Sequence, residues 1–258
     1  MADGKLRVAV VGCGMIANSA HIPAWQSQRG AEVVGVMDTD LGRARATAGK
    51  HAVPGVFDDV DKMLNELAPD VVSVCTPAGC HKAHAEAALR AGAHVLCEKP
   101  LAITSREAAD IFRAAEEAGR HLLVGQSMRF YNQVAAAKAF AADGQLGELY
   151  CADAARLRRR GIPTHGSFHI KKLSGGGVLV DLGAHMLDMV LWIMGSPKVV
   201  AVSGATYSKI GTRNENLITS SVESGAFAGG VSSASYNPAT FDVEDFASAF
   251  LRLDNGGT

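Results

Sequence analysis

Short apolar runs alternate with helical patterns through the first half of the chain, and no other feature limits its folding so strongly. Five apolar runs predict strands, at Leu6 to Val11, Glu32 to Asp38, Val71 to Cys75, His94 to Cys97 and Leu122 to Gly125. Segments with helical spacing lie between them, at Asp40 to His51, Val60 to Glu66, His81 to Ala91 and Ser105 to Ala118. Strands that alternate with helices pair in parallel and are covered on both faces. Residues 1–125 are therefore predicted to form a doubly wound α/β domain.

The pattern changes after about Gly125, and residues 126–258 are predicted to form a second, mixed α+β domain. Its predicted elements are a helix at Val134 to Asp143, a strand near Leu149 to Leu157, a helix at about Val178 to Met194, and strands at Val199 to Thr206 and Asp245 to Leu253. Asp254 to Gly257 then predicts a hairpin turn, because Asn and Gly tolerate positive φ. No return strand follows this turn, so either the segment frays or the chain stops short of the sheet that its sequence predicts.

The composition excludes several classes of partner. The chain has 258 residues, which favours two domains over one, and its 25 basic and 26 acidic side chains predict neither nucleic-acid nor membrane-surface binding. The longest apolar stretch contains Asp181, His185 and Asp188, which are costly in hydrocarbon, so it is predicted to be a soluble helix. An acid, Asp3, stands where a signal peptide has basic residues, and a cytoplasmic protein is predicted.

A glycine loop follows the first predicted strand directly. The loop reads Gly12-Cys13-Gly14-Met15-Ile16-Ala17 and opens a helix, which is the context that makes such a motif informative. Gly12 permits a tight turn, Gly14 lets backbone approach a pyrophosphate, and Ala17 is small enough for the helix to pack on the strand. The helix N-terminus would face the phosphates. This pattern predicts a Rossmann-type dinucleotide site, on a helix that Pro23 shortens or kinks.

Asp38 ends the second predicted strand, 24 residues beyond Gly14. An acid at this position binds the adenosine ribose hydroxyls and repels a 2'-phosphate, so NAD is favoured over NADP. Arg43 and Arg45 lie nearby in the sequence and weaken that preference. In the alternative interpretation, Asp38 only helps Asp40 to cap the next helix.

Two groups of residues are candidates for catalysis. Glu98-Lys99-Pro100 follows a parallel strand at the edge where such sheets bind ligands, and Lys99 could polarise a substrate oxygen beside a nicotinamide. Asp181 and His185 lie four residues apart on one predicted helix, after a glycine triplet, and His185 could accept a hydroxyl proton near neutral pH. Asp181 would then bind substrate hydroxyls, and Asp188 would orient the imidazole.

Less specific interpretations of these residues stay open. Lys99 could be a solvated lysine, and His185 could be structural. Asp181 and His185 could also hold zinc if His165 or His169 supplied a third ligand, but no metal is expected. The basic cluster Arg156 to Arg160 could meet an anionic substrate or form a solvated edge. Five cysteines without a CxxC pair are expected to be reduced thiols, mostly buried: Cys13, Cys75, Cys80, Cys97 and Cys151.

From about Leu6 to Thr206 the chain resembles the Gfo/Idh/MocA family of oxidoreductases. Four blocks carry the resemblance: Val10 to Gly14, Cys75 to Pro77 with His81, Ala91 to Leu101, and Gly175 to Asp188. The resemblance implies a Rossmann domain followed by a domain with a large, mostly antiparallel sheet that binds substrate and mediates homo-oligomer formation. Because members of the family usually continue past the equivalent of Thr258, it also implies that this second domain is truncated at its C-terminus. It implies NAD(P)-dependent hydride transfer to or from a sugar, polyol or related hydroxyl or keto carbon. The alternative is a catalytically idle nucleotide-binding sensor or assembly subunit.

The resemblance also assigns roles to individual residues. The positions that match the family's catalytic residues are Lys99, Asp181 and His185. The positions that match its cofactor contacts are Gly12, Gly14, Met15, Ile16, Asp38, Thr76, Pro77, His81, Glu98, Lys99 and Arg129. The block around Arg129 departs from the family at Ser127, where Asn is frequent, which makes the cofactor contact of this block the least specific.

Overall fold

The computed structural model describes residues 4–157, 162, 167–213 and 237–258. The chain divides into two units, residues 1–125 and 126–258, and each has its own secondary structure.

The first unit is a six-stranded parallel sheet with strand order β3-β2-β1-β4-β5-β6. Its strands are β1 Leu6–Val11, β2 Ala31–Met37, β3 Gly55–Phe57, β4 Val71–Val74, β5 His94–Cys97 and β6 Leu122–Val124. Its helices are α1 Ile22–Gln26, α2 Leu41–His51, α3 Val60–Leu67, α4 Ala78–Arg90 and α5 Ser105–Ala118. The doubly wound α/β fold and all five predicted strands are confirmed. The edge strand β3 was not predicted, because three residues are too few to display a period.

The central strands of the sheet are buried on both faces, as their continuous apolar sequences predict. Val8 to Val11 on β1 and Val72 and Val74 on β4 have no exposed surface. Helices begin where side chains satisfy free backbone N–H groups. The carboxylate of Asp40 accepts from Gly42 and Arg43 at the start of α2, and the hydroxyl of Thr104 accepts from Glu107 at the start of α5.

The segment after the glycine loop is interrupted as the sequence predicted. A π-helical turn, Ala17–His21, precedes the short helix α1. Pro23 lies in the first turn of α1, where a missing N–H is tolerated better than in the interior of a helix. Ala17 is fully buried against the sheet. The wide turn brings His21, a polar residue, to a buried position.

The second unit contains α6 Asn132–Ala142, α7 Lys171–Ser174, a π-helical turn at Leu179–Gly183, and α8 Ala184–Ile193. Its described strands, β7 Val199–Tyr207 and β8 Phe246–Leu253, pair antiparallel. The predicted helix from Val178 to Met194 is present, but its first part has π geometry. The α+β class of this unit is confirmed.

The strand predicted near Leu149 to Leu157 was wrong. These residues have no regular structure. Their nearest sheet-like contact is with Thr258, whose N–H donates to Tyr150 and whose carbonyl accepts from Ala152, both at 3.0 Å. Two bonds to one residue do not make a ladder. The predicted turn after β8 does form, with Gly256 donating to Leu253.

The segment Lys171–Ile193 is long and apolar enough to cross a membrane by length and composition alone. A single such helix is weak support for a membrane protein. Asp181, His185 and Asp188 would lie in hydrocarbon, and Asp188 makes a two-point ion pair with Arg129. Charged groups placed this way fit a water-soluble protein better than a membrane span.

The cysteines in the sheet behave as buried thiols. Cys13, Cys75 and Cys97 are buried and free, whereas Cys151 is exposed. Burial raises the pKa of Cys13 to about 11 and also raises the pKa of Cys75. A protonated buried thiol is a poor nucleophile, so the expectation of core thiols holds for these three.

Candidate active site

The two loop glycines face different surroundings. Gly12 has φ +94°, and a Cβ on it would lie 2.8 Å from the carbonyl carbon and oxygen of Cys75. A Cβ on Gly14 would meet nothing within 4 Å. Gly12 is therefore required by the fold itself, while the backbone at Gly14 is open to an approaching group. Met15 is partly exposed and Ile16 is half-buried at the start of the helical segment.

Asp38 has a buried carboxylate that contacts the glycine loop. It accepts from the backbone N–H of Cys13 at 2.9 Å and from that of Asp40 at 2.9 Å. The Arg43 guanidinium, half exposed, lies 3.3 Å from Oδ1. Asp40, not Asp38, is the N-cap of α2. A carboxylate has about four lone-pair directions, so these contacts leave Asp38 able to accept from ribose hydroxyls.

Asn18 supports the glycine loop through side-chain hydrogen bonds and was not among the residues predicted from the sequence. Its amide nitrogen lies 3.0 Å from the carbonyl oxygens of Cys13 and Gly14 and 3.1 Å from the Thr47 hydroxyl. Its amide oxygen lies 3.1 Å from Nε2 of His51. The polar residue one turn after the second glycine was the available signal.

His81 occupies a position that does not fit a direct cofactor contact. The ring is 1% exposed. Its Nδ1 lies 2.8 Å from the carbonyl oxygen of Pro100, and its Nε2 lies 2.8 Å from that of Thr76. His81 therefore joins the loop after β4 to the loop after β5. Thr76 and Pro77, in the first of these loops, are half-buried and exposed.

Glu98 and Lys99 follow β5 at the carboxyl edge of the sheet. Glu98 Oε2 accepts from the backbone N–H of Lys99 at 3.0 Å, and Oε1 lies 2.9 Å from Nε2 of His21. Burial alone would raise the pKa of Glu98, but the hydrogen bond and charge of His21 and the Lys99 N–H lower it overall. Glu98 is thus a carboxylate at neutral pH. The peptide bond between Lys99 and Pro100 is cis.

Asp181 and His185 lie on the helical segment of the second unit. Asp181 is in the π-helical turn, and His185 is in the first turn of α8. The face-sharing argument assumed a regular α-helix, and the π turn alters that spacing.

Asp188 is engaged elsewhere than at His185. Arg129 Nε lies 2.7 Å from Oδ2 of Asp188, and Nη2 lies 2.5 Å from Oδ1. The same guanidinium lies 5.5 Å from the centre of the Trp192 ring. The expectation that Asp188 orients the imidazole stays a prediction, since a carboxylate paired with arginine keeps further lone pairs. Arg129, expected as a cofactor contact, has Asp188 and Trp192 as its partners in this unit.

The glycine triplet has a packing reason. A Cβ on Gly177 would collide with the backbone carbonyl of Glu244. Glu244 accepts from Val178 through its carbonyl and from Leu179 through its carboxylate, both at 3.0 Å. Glu244 thus caps the helix that carries Asp181 and His185 from 65 residues away. Only the folded chain reveals this contact.

The residues of the alternative zinc interpretation form no metal-binding group in the described part of the chain. Residues 4–157, 162, 167–213 and 237–258 contain no group of three His, Cys, Asp or Glu side chains that could hold a metal. His165, one proposed third ligand, lies outside the described residues, as do Arg158 to Arg160 of the basic cluster. Burial lowers the pKa of His169, and the charge of Asp242 opposes this shift.

Comparison with known proteins decides the family. Residues 6–126 match the oxidoreductase family with an NAD-binding Rossmann fold, and residues 134–258 match the GFO/IDH/MocA C-terminal domain. The whole chain is 37% identical over 257 residues to D-glucoside 3-dehydrogenase of Escherichia coli, covering 69% of that protein. The chain belongs to the GFO/IDH/MocA oxidoreductase family. Its first unit is the family's NAD-binding Rossmann domain, and the family contains proteins named as sugar dehydrogenases.

Two further matches agree with this membership. The chain is 32% identical over 195 residues to glucose-6-phosphate 3-dehydrogenase of Bacillus subtilis. The match covers 74% of this chain and 54% of the relative. It superimposes on an oxidoreductase domain protein from Kribbella flavida with TM-score 0.79 at 27% identity, covering 98% of itself and 65% of that structure. The chain spans 54% to 69% of the length of these three proteins.

Proposed function

We propose that this protein is an NAD-dependent oxidoreductase that moves a hydride between the nicotinamide and a hydroxyl or keto carbon of a sugar or polyol. The observation that carries the proposal is the position of Lys99 at the carboxyl edge of the sheet, where its backbone N–H donates to the Glu98 carboxylate. The glycine loop follows β1 in the same sheet, and its backbone at Gly14 is open. Relatives named D-glucoside 3-dehydrogenase and glucose-6-phosphate 3-dehydrogenase support a sugar hydroxyl as the reacting group.

The residues of the first unit fit NAD. The backbone at Gly14 is open to a pyrophosphate, and Asp38 retains lone pairs for ribose hydroxyls. NAD, when bound, accepts the hydride from the carbon that carries the hydroxyl. Thr76 and Pro77, at the same edge of the sheet, would contact the bound nucleotide, as would Met15 and Ile16.

The proposed mechanism assigns one task to each catalytic residue. His185 accepts the proton of the substrate hydroxyl as general base. The Lys99 ammonium stabilises the negative charge that develops on the same oxygen. Asp181 accepts hydrogen bonds from neighbouring hydroxyls and so orients the sugar. Arg129, if it also reaches the nucleotide, must share its guanidinium with Asp188.

Turnover on a panel of sugars, polyols and their keto forms, followed by NADH absorbance, tests the proposal. Lys99→Met is expected to lower kcat/KM by about a hundredfold or more because it removes the charge that faces the oxyanion. Lys62→Met, an exposed lysine on α3, is the matched control and should stay near wild type. No turnover on any compound would instead support the idle nucleotide-binding alternative.

The choice between NAD and NADP is expected to depend on two opposed charges. Asp38 repels a 2'-phosphate, whereas the half-exposed Arg43 attracts one. Wild type should bind NADH more tightly than NADPH. Arg43→Gln should weaken NADPH binding by about threefold to tenfold and leave NADH binding nearly unchanged. Fluorescence titration measures both affinities, with Lys62→Gln at an exposed position of α3 as control. An unchanged NADPH affinity in Arg43→Gln would contradict the role of Arg43.

The protein is further proposed to act in the cytoplasm as a homo-oligomer that associates through the sheet of the second unit. Val200, Val202 and Phe250 on that sheet are more than half exposed, at 60%, 64% and 58%. Apolar groups at this exposure favour association. Sedimentation velocity measures the mass in solution, and a monomer at micromolar concentration would contradict this part of the proposal.

A further inference from the structure

His21 is a buried histidine in the NAD-binding unit, and no catalytic or cofactor role has been given to it above. It ends the π-helical turn Ala17–His21 that follows the glycine loop, and it is 8% exposed. Its Nε2 lies 2.9 Å from Oε1 of Glu98, a residue 77 positions further along the chain. Because a carboxylate can only accept, Nε2 is the donor.

Glu98 transmits this contact to the next residue. Its second oxygen accepts from the backbone N–H of Lys99 at 3.0 Å. The carboxylate lies beside Gly125, where a Cβ would come within 3.2 Å of Oε1 and 3.3 Å of Cδ, so a larger residue at this position would press on Glu98. One oxygen of Glu98 is thus held by His21 and the other by the Lys99 peptide.

The electrostatics agree with a held carboxylate. Glu98 is mostly buried, with a side chain 16% exposed. Burying a carboxylate in such a position destabilises the folded state unless hydrogen-bond donors replace the lost water. His21 supplies a side-chain donor to it, and Lys99 supplies a backbone one. Without His21, Oε1 must turn towards water, and the second oxygen then loses its alignment with the Lys99 N–H.

We propose that His21 is a positioning residue for hydride transfer: through Glu98 it fixes the peptide that carries Lys99, and so couples the nucleotide loop to the catalytic lysine. The proposal rests on the catalytic role of Lys99 proposed above. His21 acts through Glu98 and not on the substrate itself. The π-helical turn explains the placement, because such turns redirect side chains within a helical segment and are frequent at functional sites.

Three variants separate positioning from packing. His21→Phe keeps the ring volume and removes the donor. His21→Gln keeps a donor near the position of Nε2. His21→Asn has an amide that ends one bond too short, and it serves if the phenylalanine variant does not fold. His121→Phe changes an exposed histidine at the opposite edge of the same sheet and is the matched control.

Hydrogen exchange of the Lys99 amide, measured by NMR on protein with ¹⁵N-labelled lysine, reads the proposed linkage without any turnover. His21→Phe is expected to speed this exchange by about tenfold to a hundredfold, the equivalent of one hydrogen bond to a charged group. His21→Gln and His121→Phe should remain within about threefold of wild type. An amide as protected in His21→Phe as in wild type would overturn the proposal.

Steady-state kinetics supply the second readout. His21→Phe should lower kcat by about tenfold to a hundredfold, with KM and the NADH dissociation constant within about threefold, and His21→Gln should restore most of the loss. An unchanged kcat in an enzyme that Lys99→Met inactivates would overturn the proposal. Absence of turnover in wild type would instead reject the proposed function, and the exchange of the Lys99 amide would still decide whether His21 holds that peptide.

Discussion

Replacing His185 by alanine is expected to lower kcat by about a thousandfold, because a positioned general base contributes about two to four orders of magnitude. His185 lies in the first turn of α8, on a segment whose N–H groups are capped by Glu244. The imidazole is the group on this segment whose ordinary pKa suits proton transfer near neutral pH. The dissociation constant for NADH should stay nearly unchanged, since the nucleotide is proposed to bind the first unit.

A rescue by imidazole and a control variant complete the His185 experiment. Imidazole added to the His185→Ala enzyme should restore part of kcat, because a small base can enter the space that the side chain leaves. His121→Ala, at an exposed position of the first unit, should behave as wild type. Full turnover of His185→Ala with the true substrate would remove His185 from the mechanism, and Asp181 would become the strongest remaining candidate for the base.

The fold of the first unit was predictable because its signals are local. Strands β1 and β5 begin and end at the predicted residues, and α5 does so as well. Buried parallel strands are apolar throughout, and a capping acid in the sequence marks the first turn of helices such as α2. The strand near Leu149 to Leu157 failed for the opposite reason. A strand depends on a neighbour, and apolar alternation does not reveal whether one is present.

The positions of the candidate site residues were predictable only where a residue type is tied to a backbone position. The glycine loop, Asp38 and Lys99 belong to such positions, at the ends of parallel strands. The residues that support them were not predictable from local pattern. Asn18 reaches back to the loop carbonyls, and His21 reaches across 77 residues to Glu98. These contacts depend on tertiary placement that no periodicity encodes.

His81 and Asp188 were singled out from the sequence, but their partners in the folded chain were not predicted. His81 matched a cofactor contact of the resembled family, and Asp188 was given a task because it lies one turn beyond His185 on the predicted helix. In the folded chain, the ring of His81 lies between two backbone carbonyls, and Asp188 pairs with Arg129. Neither the resemblance nor the helical spacing revealed these partners. A buried polar side chain next to a site more often holds the site together than reacts in it.

Gly12→Ala is expected to lower the free energy of unfolding, whereas Gly14→Ala is expected to lower NADH affinity. At Gly12 the new Cβ would lie 2.8 Å from the Cys75 carbonyl and 2.9 Å from the Thr76 nitrogen, and φ is +94°. Neither backbone can yield without moving the end of β4. The free energy of unfolding should therefore fall by about 3 kcal/mol from strain and overpacking together.

At Gly14 a Cβ would meet nothing within 4 Å, so Gly14→Ala should leave the free energy of unfolding within about 0.5 kcal/mol of wild type or raise it slightly. Its NADH affinity should nevertheless fall by about tenfold or more, because the methyl group occupies the space through which the backbone approaches the pyrophosphate. Urea denaturation and NADH fluorescence titration measure the two quantities. Full affinity in a stable Gly14→Ala protein would mean that the pyrophosphate does not lie over this loop, and the open backbone at Gly14 would then have no part in cofactor binding.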